Sequence, residues 1–251
     1  MFVVFISLDV LNKMDSLILG AFSSFENVAH YNISYSIATI IYAIPISISM
    51  FLLTRSAEIE DEQMSKNVFT RCTRISFSLS LLAAVALNAL IFLITRLFFP
   101  KYAGTELFVA ILSCAALFFS VYFLFFNYLT GRMSPEKAFK PMLIAAALNV
   151  VLDLALVKSF GVFGICIATV IAQGTALALF GFKVMGWKRL LVFYASTTFV
   201  FAAFFLREWG LLVLIPAAAY LVFTRSITKG DMMVVKETFS KSWPGRTGKS
   251  V

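Results

Sequence analysis

Asp9, Asn12, Lys13, Ser16 and Gly20 recur at i, i+3, i+4, i+7 and i+11 within an apolar stretch at the start of the sequence. At about 100° per residue this spacing sets them on one stripe of a helix. Asp15 lies well off that stripe, so the helix must meet protein or water on more than one side. A charge in a hydrocarbon layer costs at least about 2.5–3.5 kcal/mol near its centre, which makes each of these residues a functional candidate. Asp9 and Lys13 admit two readings. As an intrahelical i, i+4 pair they neutralise each other; alternatively Lys13 faces a water-filled cavity as a cationic anchor for an anionic substrate, with Asp9 titrating or pairing beside it. Asn149 and Asp153 are also four apart and share a face with Ala145 and Ala146. Asp153 is either a proton or cation site or the partner of a neighbouring helix terminus. Lys13, Asp9, Asn12, Asn149 and Asp153 are therefore the candidate substrate-binding residues. Asn88, Asn127 and Gln173 read as interhelical hydrogen-bond partners, and His30 as a solvated residue of a short outer loop. Nothing has the spacing of a hydrolytic triad, a phosphate-binding glycine loop or a metal box, and Cys72, Cys114 and Cys166 are scattered. No catalytic residue, cofactor or metal is expected, and the chain reads as no enzyme.

Composition says what must position these groups. Of the 251 residues, 61% are hydrophobic and 14% charged, with a mean hydropathy of +0.92. A soluble domain is about half apolar and a quarter charged, and one of this size could not hide the excess. The chain is expected to be an all-α polytopic membrane protein. A span needs about 20 apolar residues. Eight candidates satisfy that: Phe2 to Phe22, Tyr31 to Leu53, Ile75 to Leu97, Glu106 to Leu129, Phe139 to Val157, Gly161 to Phe182, Leu190 to Leu206 and Trp209 to Thr224. The last two read as a hairpin, and Pro45 and Pro216 inside the second and eighth spans as hinges or fixed kinks. The segment from Arg55 to Arg74 reads as a surface helix joining spans two and three.

The net charge of +8 is not a nucleic-acid signal, because the cations fall between apolar runs and in the tail. Sixteen Lys and Arg follow even-numbered spans and four follow odd-numbered ones. The positive-inside rule then places both termini in the cytoplasm, with the protein in the cell membrane. The basic tail carries Val234, Val235, Phe239 and Trp243 at intervals that suit an interfacial helix attracted to anionic lipids. Three units are expected: a six-helix lobe over 1–182, a helix pair over 183–224 and a basic tail over 225–251.

Asp15-Ser-Leu-Ile-Leu-Gly20, then Tyr31-Asn32 opening the second span, and Phe99-Pro-Lys-Tyr-Ala103 occur in that order. They are followed by Leu148-Asn-Val-Val-Leu-Asp-Leu154 and Gly161-Val-Phe-Gly-Ile-Cys-Ile-Ala-Thr169. Together these resemble the polysaccharide transporter branch of the multidrug/oligosaccharidyl-lipid/polysaccharide flippase superfamily, over the second lobe and final helix pair of a fourteen-span transporter. Arg55, where that family often has proline, and Asp153, where asparagine is common, depart from the pattern. The resemblance implies flipping of a polyprenyl-linked oligosaccharide for surface polysaccharide or glycan assembly, with membrane lipids and a second lobe as partners. That lobe would be a separately encoded half or a second copy; a truncated product without transport is the third expectation. The alternatives are half of a cation-coupled multidrug exporter and a non-transporting scaffold of a polysaccharide assembly complex.

Overall fold

A computed structural model describes residues 13–132, 135–184 and 187–224. Asp9, Asn12 and the tail 225–251 lie outside the described residues. The described chain is helical throughout: α1 (13–22), α2 (Phe25–Ala38), α3 (Ala43–Glu58), α4 (Glu62–Phe98), α5 (Glu106–Gly131), α6 (Pro135–Val184), α7 (Trp187–Ala195), α8 (Thr197–Leu206) and α9 (Leu214–Phe223). It is a multi-pass membrane protein. The expected spans map onto these helices, most of them with shifted ends.

Spans two and eight carry the same local device. A 3-10 stretch precedes each proline, Thr39–Tyr42 before Pro45 and Arg207–Val213 before Pro216. Proline has no N–H for the carbonyl four residues back and its ring crowds that carbonyl, so the preceding turn tightens instead of continuing as α-helix. Between spans two and three the expected surface helix does not form separately. Asp61 caps α4, its Oδ1 accepting from Gln63 N at 2.8 Å, and no breaker follows before the span. Arg55 and Glu58 end α3, and the charged segment from Glu62 onward is the first turns of a helix of 37 residues, about 55 Å long at 1.5 Å per residue. That exceeds a hydrocarbon core of about 30 Å, so the end bearing Glu62 and Lys66 stands outside it.

The fifth and sixth spans form one continuous run, α6, broken at Gly161, whose φ of 55° and ψ of −131° are non-helical. Only glycine takes such an angle at low cost. The break is a reversal: a Cβ on Gly164 would lie 2.8 Å from the Leu156 carbonyl oxygen, although eight residues of straight helix span about 12 Å. The two limbs therefore run antiparallel in close contact.

α5 is the central helix. Its apolar window is 78% buried, against 33–50% for the other long spans, and α2, α3, α4, α6 and α8 all pack on it. Where lipid tails are as apolar as the side chains, close approach and interhelical hydrogen bonds hold helices together. Ser76, Ser80, Ala84 and Asn88 make a buried small and polar row on α4, and Asn88 Nδ2 donates to Ser113 Oγ of α5 at 2.9 Å. Such a bond is worth about 0.6 kcal/mol on average. Asn127, expected to bond across helices, instead donates within α5 to the Phe123 carbonyl. The α7–α9 hairpin docks through aromatic pairs, Phe77 against Phe193 and Phe92 against Phe204. His30 packs edge-on against Tyr102, centroids 5.3 Å apart, and is half-buried rather than solvated.

Candidate functional site

The buried face of α1 carries Asp15, Ile18 and Leu19; the other face, with Lys13, Leu17 and Gly20, is exposed. Lys13 and Asp15 are about 200° apart on the helix. Their side chains cannot share an environment, and the structure turns the aspartate inward.

Asp15 is 4% exposed and gathers donors from two further elements. Tyr31 Oη on α2 donates to Oδ2 at 2.5 Å, Asn149 Nδ2 on the first limb of α6 donates to Oδ1 at 2.8 Å, and Thr169 Oγ1 on the second limb donates to Oδ2 at 3.1 Å. The Gly161 reversal is what lets Asn149 and Thr169, twenty residues apart, meet one carboxyl group. Thr169 Oγ1 also lies 3.0 Å from Ile165 O, the back-bond that lets a hydroxyl sit inside an apolar helix, so its one proton serves either that carbonyl or Asp15. The Asn149 amide has a second proton, and Nδ2 also lies 2.9 Å from Asp153 Oδ2.

Asp153 is fully buried. Its carboxyl and that of Asp15 meet at the same Asn149 nitrogen, and its Oδ1 has no donor among the described residues. Two negative charges that close and away from water repel strongly and are costly to bury. The arrangement is stable when a proton is shared between the carboxyl groups or a small cation lies against them. No group of three or more His, Cys, Asp or Glu comes together among the described residues. The donors are carboxylate, hydroxyl and amide, a hard set that suits a proton or a monovalent cation rather than a thiophilic metal.

Asp15, Asn149 and Thr169 form the polar end of a cavity of about 70 Å³, room for a few waters. Its remaining wall includes Tyr35, Tyr122, Gln173, Met142, Ala145, Ala146, Ala172 and Ala176. Gln173 lines the cavity together with Tyr122 of α5. The small alanine side chains leave the space. Going from Asn149 to Met142 and from Thr169 to Ala176, the wall steps about two turns along each limb towards the ends at Pro135 and Val184. Asp15 is reached from that end of the lobe, whereas Asp153 does not line the cavity.

Of the expected site residues, Asn149 lines the cavity and its amide reaches Asp153, which does not line it. Lys13 does not line the cavity, and Asp9 and Asn12 lie outside the described residues. Asp15, Tyr31 and Thr169 were not among the candidate substrate-binding residues, although all three stand in the quoted motifs; the signal was Asp15's position off the polar stripe.

No family model matches the chain. It is 27% identical over 166 residues to "Uncharacterized membrane protein MJ1068" of Methanocaldococcus jannaschii, covering 64% of this chain and 33% of that protein. Its structure resembles "Lipid II flippase MurJ, inward closed conformation" with a TM-score of 0.63 at 17% identity, over 89% of this chain and 52% of that one. The chain thus spans about a third of the first protein's length and half of the second's. The structural likeness is to a lipid II flippase rather than to a polysaccharide transporter. At that identity it establishes the architecture, and the chain has the fold of about half of a flippase.

Proposed function

We propose that this chain is one lobe, with an additional helix pair, of a transporter that flips a polyprenyl-linked oligosaccharide across the cell membrane, driven or gated by a proton or monovalent cation at Asp15 and Asp153. The observation that carries the reading is the buried pair of carboxyl groups, tied to three helices and approached through a polar-ended cavity inside a flippase-type fold. A scaffold has no need of a costly buried pair of acids. Both termini are cytoplasmic in this proposal, and the cavity then opens to the cytoplasmic side.

A lobe supplies one wall of an alternating-access pathway, so a second lobe, as a separate half or a second copy, faces the exposed side of α1. Lys13 on that side is the anchor for the substrate's phosphate or acidic sugar. An inside-negative potential favours outward passage of an anion by about 2.3 kcal/mol per charge per 100 mV. Movement of the cation at Asp15 and Asp153 couples the two orientations.

Complementation of a flippase-deficient strain, with and without a candidate partner half, tests the reading. Rescue by the wild type and loss with Asp15→Asn or Lys13→Ala is expected; full rescue by both variants would remove the proposed machinery. In parallel, exchanging choline for sodium at fixed ionic strength, and pH 8 for pH 6, should change the melting temperature of purified wild type but not of an Asp15→Asn, Asp153→Asn variant. Export of amphipathic drugs is a second reading, favoured by the Tyr35, Tyr122 and Met142 wall. Dye efflux in cells lacking surface glycans would select it.

A further inference from the structure

At the opposite end of the lobe from the carboxyl cavity lies a groove of about 720 Å³ between the last turns of α4, the start of α5 and the α8–α9 turn. Its floor is Leu90, Phe92, Leu93 and Leu211, and its rim carries Arg96 and Arg207. The Arg207 guanidinium sits over the Phe92 ring, 4.9 Å from its centroid, which fixes it at the mouth. The one carboxylate on the described rim, Glu106, is engaged by the protein itself: it accepts from Thr95 Oγ1 and from Gly104 N, each at 2.7 Å. Among the residues whose side chains the structure describes, no carboxylate pairs with either arginine.

The depth of the groove identifies its surroundings. Arg96 closes an apolar span and Trp209, 69% exposed, flanks Arg207, the composition of a membrane interface with an aromatic belt. Leu90, Leu93 and Leu211, all exposed, lie on the hydrocarbon side of the arginines. We propose that this groove binds a bilayer phospholipid, its phosphate between Arg96 and Arg207 and an acyl chain along Leu90, Leu93 and Leu211. Guanidinium forks match phosphate oxygens. The volume and the leucine floor decide against free phosphate, which would fill a small part of the space and leave the floor wet. Because the groove shares no residue with the carboxyl cavity, the lipid site stands or falls independently of the flipping reaction.

Native mass spectrometry of the detergent-purified full chain tests this, titrating phosphatidylglycerol, diacylglycerol with the same chains, and inorganic phosphate in separate arms. Wild type should retain phosphatidylglycerol in preference to diacylglycerol, and millimolar phosphate should not displace it. At roughly fivefold per arginine near a phosphate surface, R96Q and R207Q should each weaken retention about fivefold and together about 25-fold, while R96K retains most of it. Equal binding of diacylglycerol, displacement by inorganic phosphate, an unchanged double variant, or a dimer whose formation excludes the lipid would each overturn the site. The diacylglycerol and phosphate arms use wild type alone, so they decide the matter even if a variant fails to fold.

Discussion

The Asn149 side-chain amide donates to Asp15 Oδ1 at 2.8 Å across 134 residues of chain, and the same nitrogen reaches Asp153 Oδ2 at 2.9 Å. One amide thereby uses both its protons to hold two carboxyl groups together. Replacing Asn149 by alanine removes both bonds and leaves the acids facing each other. A loss of about 3 kcal/mol is expected, since each hydrogen bond to a charged group is worth about 1.5–3 kcal/mol and one of the two acids is neutral when a proton is shared. Asn149→Asp should be worse, because it adds a third acid in place of the bridge. Thermal unfolding of the purified variants in detergent measures both; an Asn149→Asp variant as stable as wild type would show that the amide is not the bridge.

Tyr31 stacks on Tyr35, centroids 5.9 Å apart, and its hydroxyl donates to Asp15. Phenylalanine at position 31 keeps the ring and removes the donor to a buried acid. The expected cost is about 1.5–3 kcal/mol, a fall in melting temperature of about 4–10 °C. If sodium still shifts the melting temperature of Tyr31→Phe, the hydroxyl supports the fold; if the shift disappears, it belongs to the cation site.

The spans were legible because apolar runs of membrane length are a direct consequence of the solvent, and Gly161 marked the division of α6 even though the backbone continues through it. The helical wheel was less informative at Asp15. A wheel reports which residues share a face but not which face turns inward, and the costlier stripe with Lys13 drew the functional reading. The inward face is set by Tyr31 and Thr169, whose meeting with Asp15 depends on tertiary pairing and on the reversal at Gly161. The surface helix was misread for a related reason. Charge density announced a break in the membrane, but Glu62 to Arg74 has no residue that would also break the helix.

Gly164 is the point at which the two limbs of α6 press closest. Alanine there would bring its Cβ within 2.8–3.0 Å of the Leu156 carbonyl and Cβ. Backbone cannot yield as a flexible side chain does, so the limbs must part and carry Asn149 away from Thr169. A loss of about 1–3 kcal/mol is expected, together with loss of any sodium-dependent stabilisation. Gly174→Ala is the control, since its Cβ would meet Tyr194 and Phe118 at 3.4–3.5 Å, near ordinary contact. Equal stability of the two variants would contradict the packed hairpin.

The three cysteines are all buried, which makes the wild-type protein a quiet background for thiol labelling in intact cells. Met64, 56% exposed at the start of α4, and Trp209, 69% exposed between α8 and α9, stand at opposite ends of the bundle. The proposed orientation puts Met64 on the cytoplasmic side, where most of the Lys and Arg lie. Trp209→Cys should then react with an impermeant maleimide added outside, and Met64→Cys should react only after permeabilisation. The reverse pattern would place the carboxyl cavity on the outer side and require the proposed cation to arrive from there. Reaction of both from outside would mean that α4 does not cross the membrane, and the proposed lobe would lose the helix on which α5 and the hairpin pack.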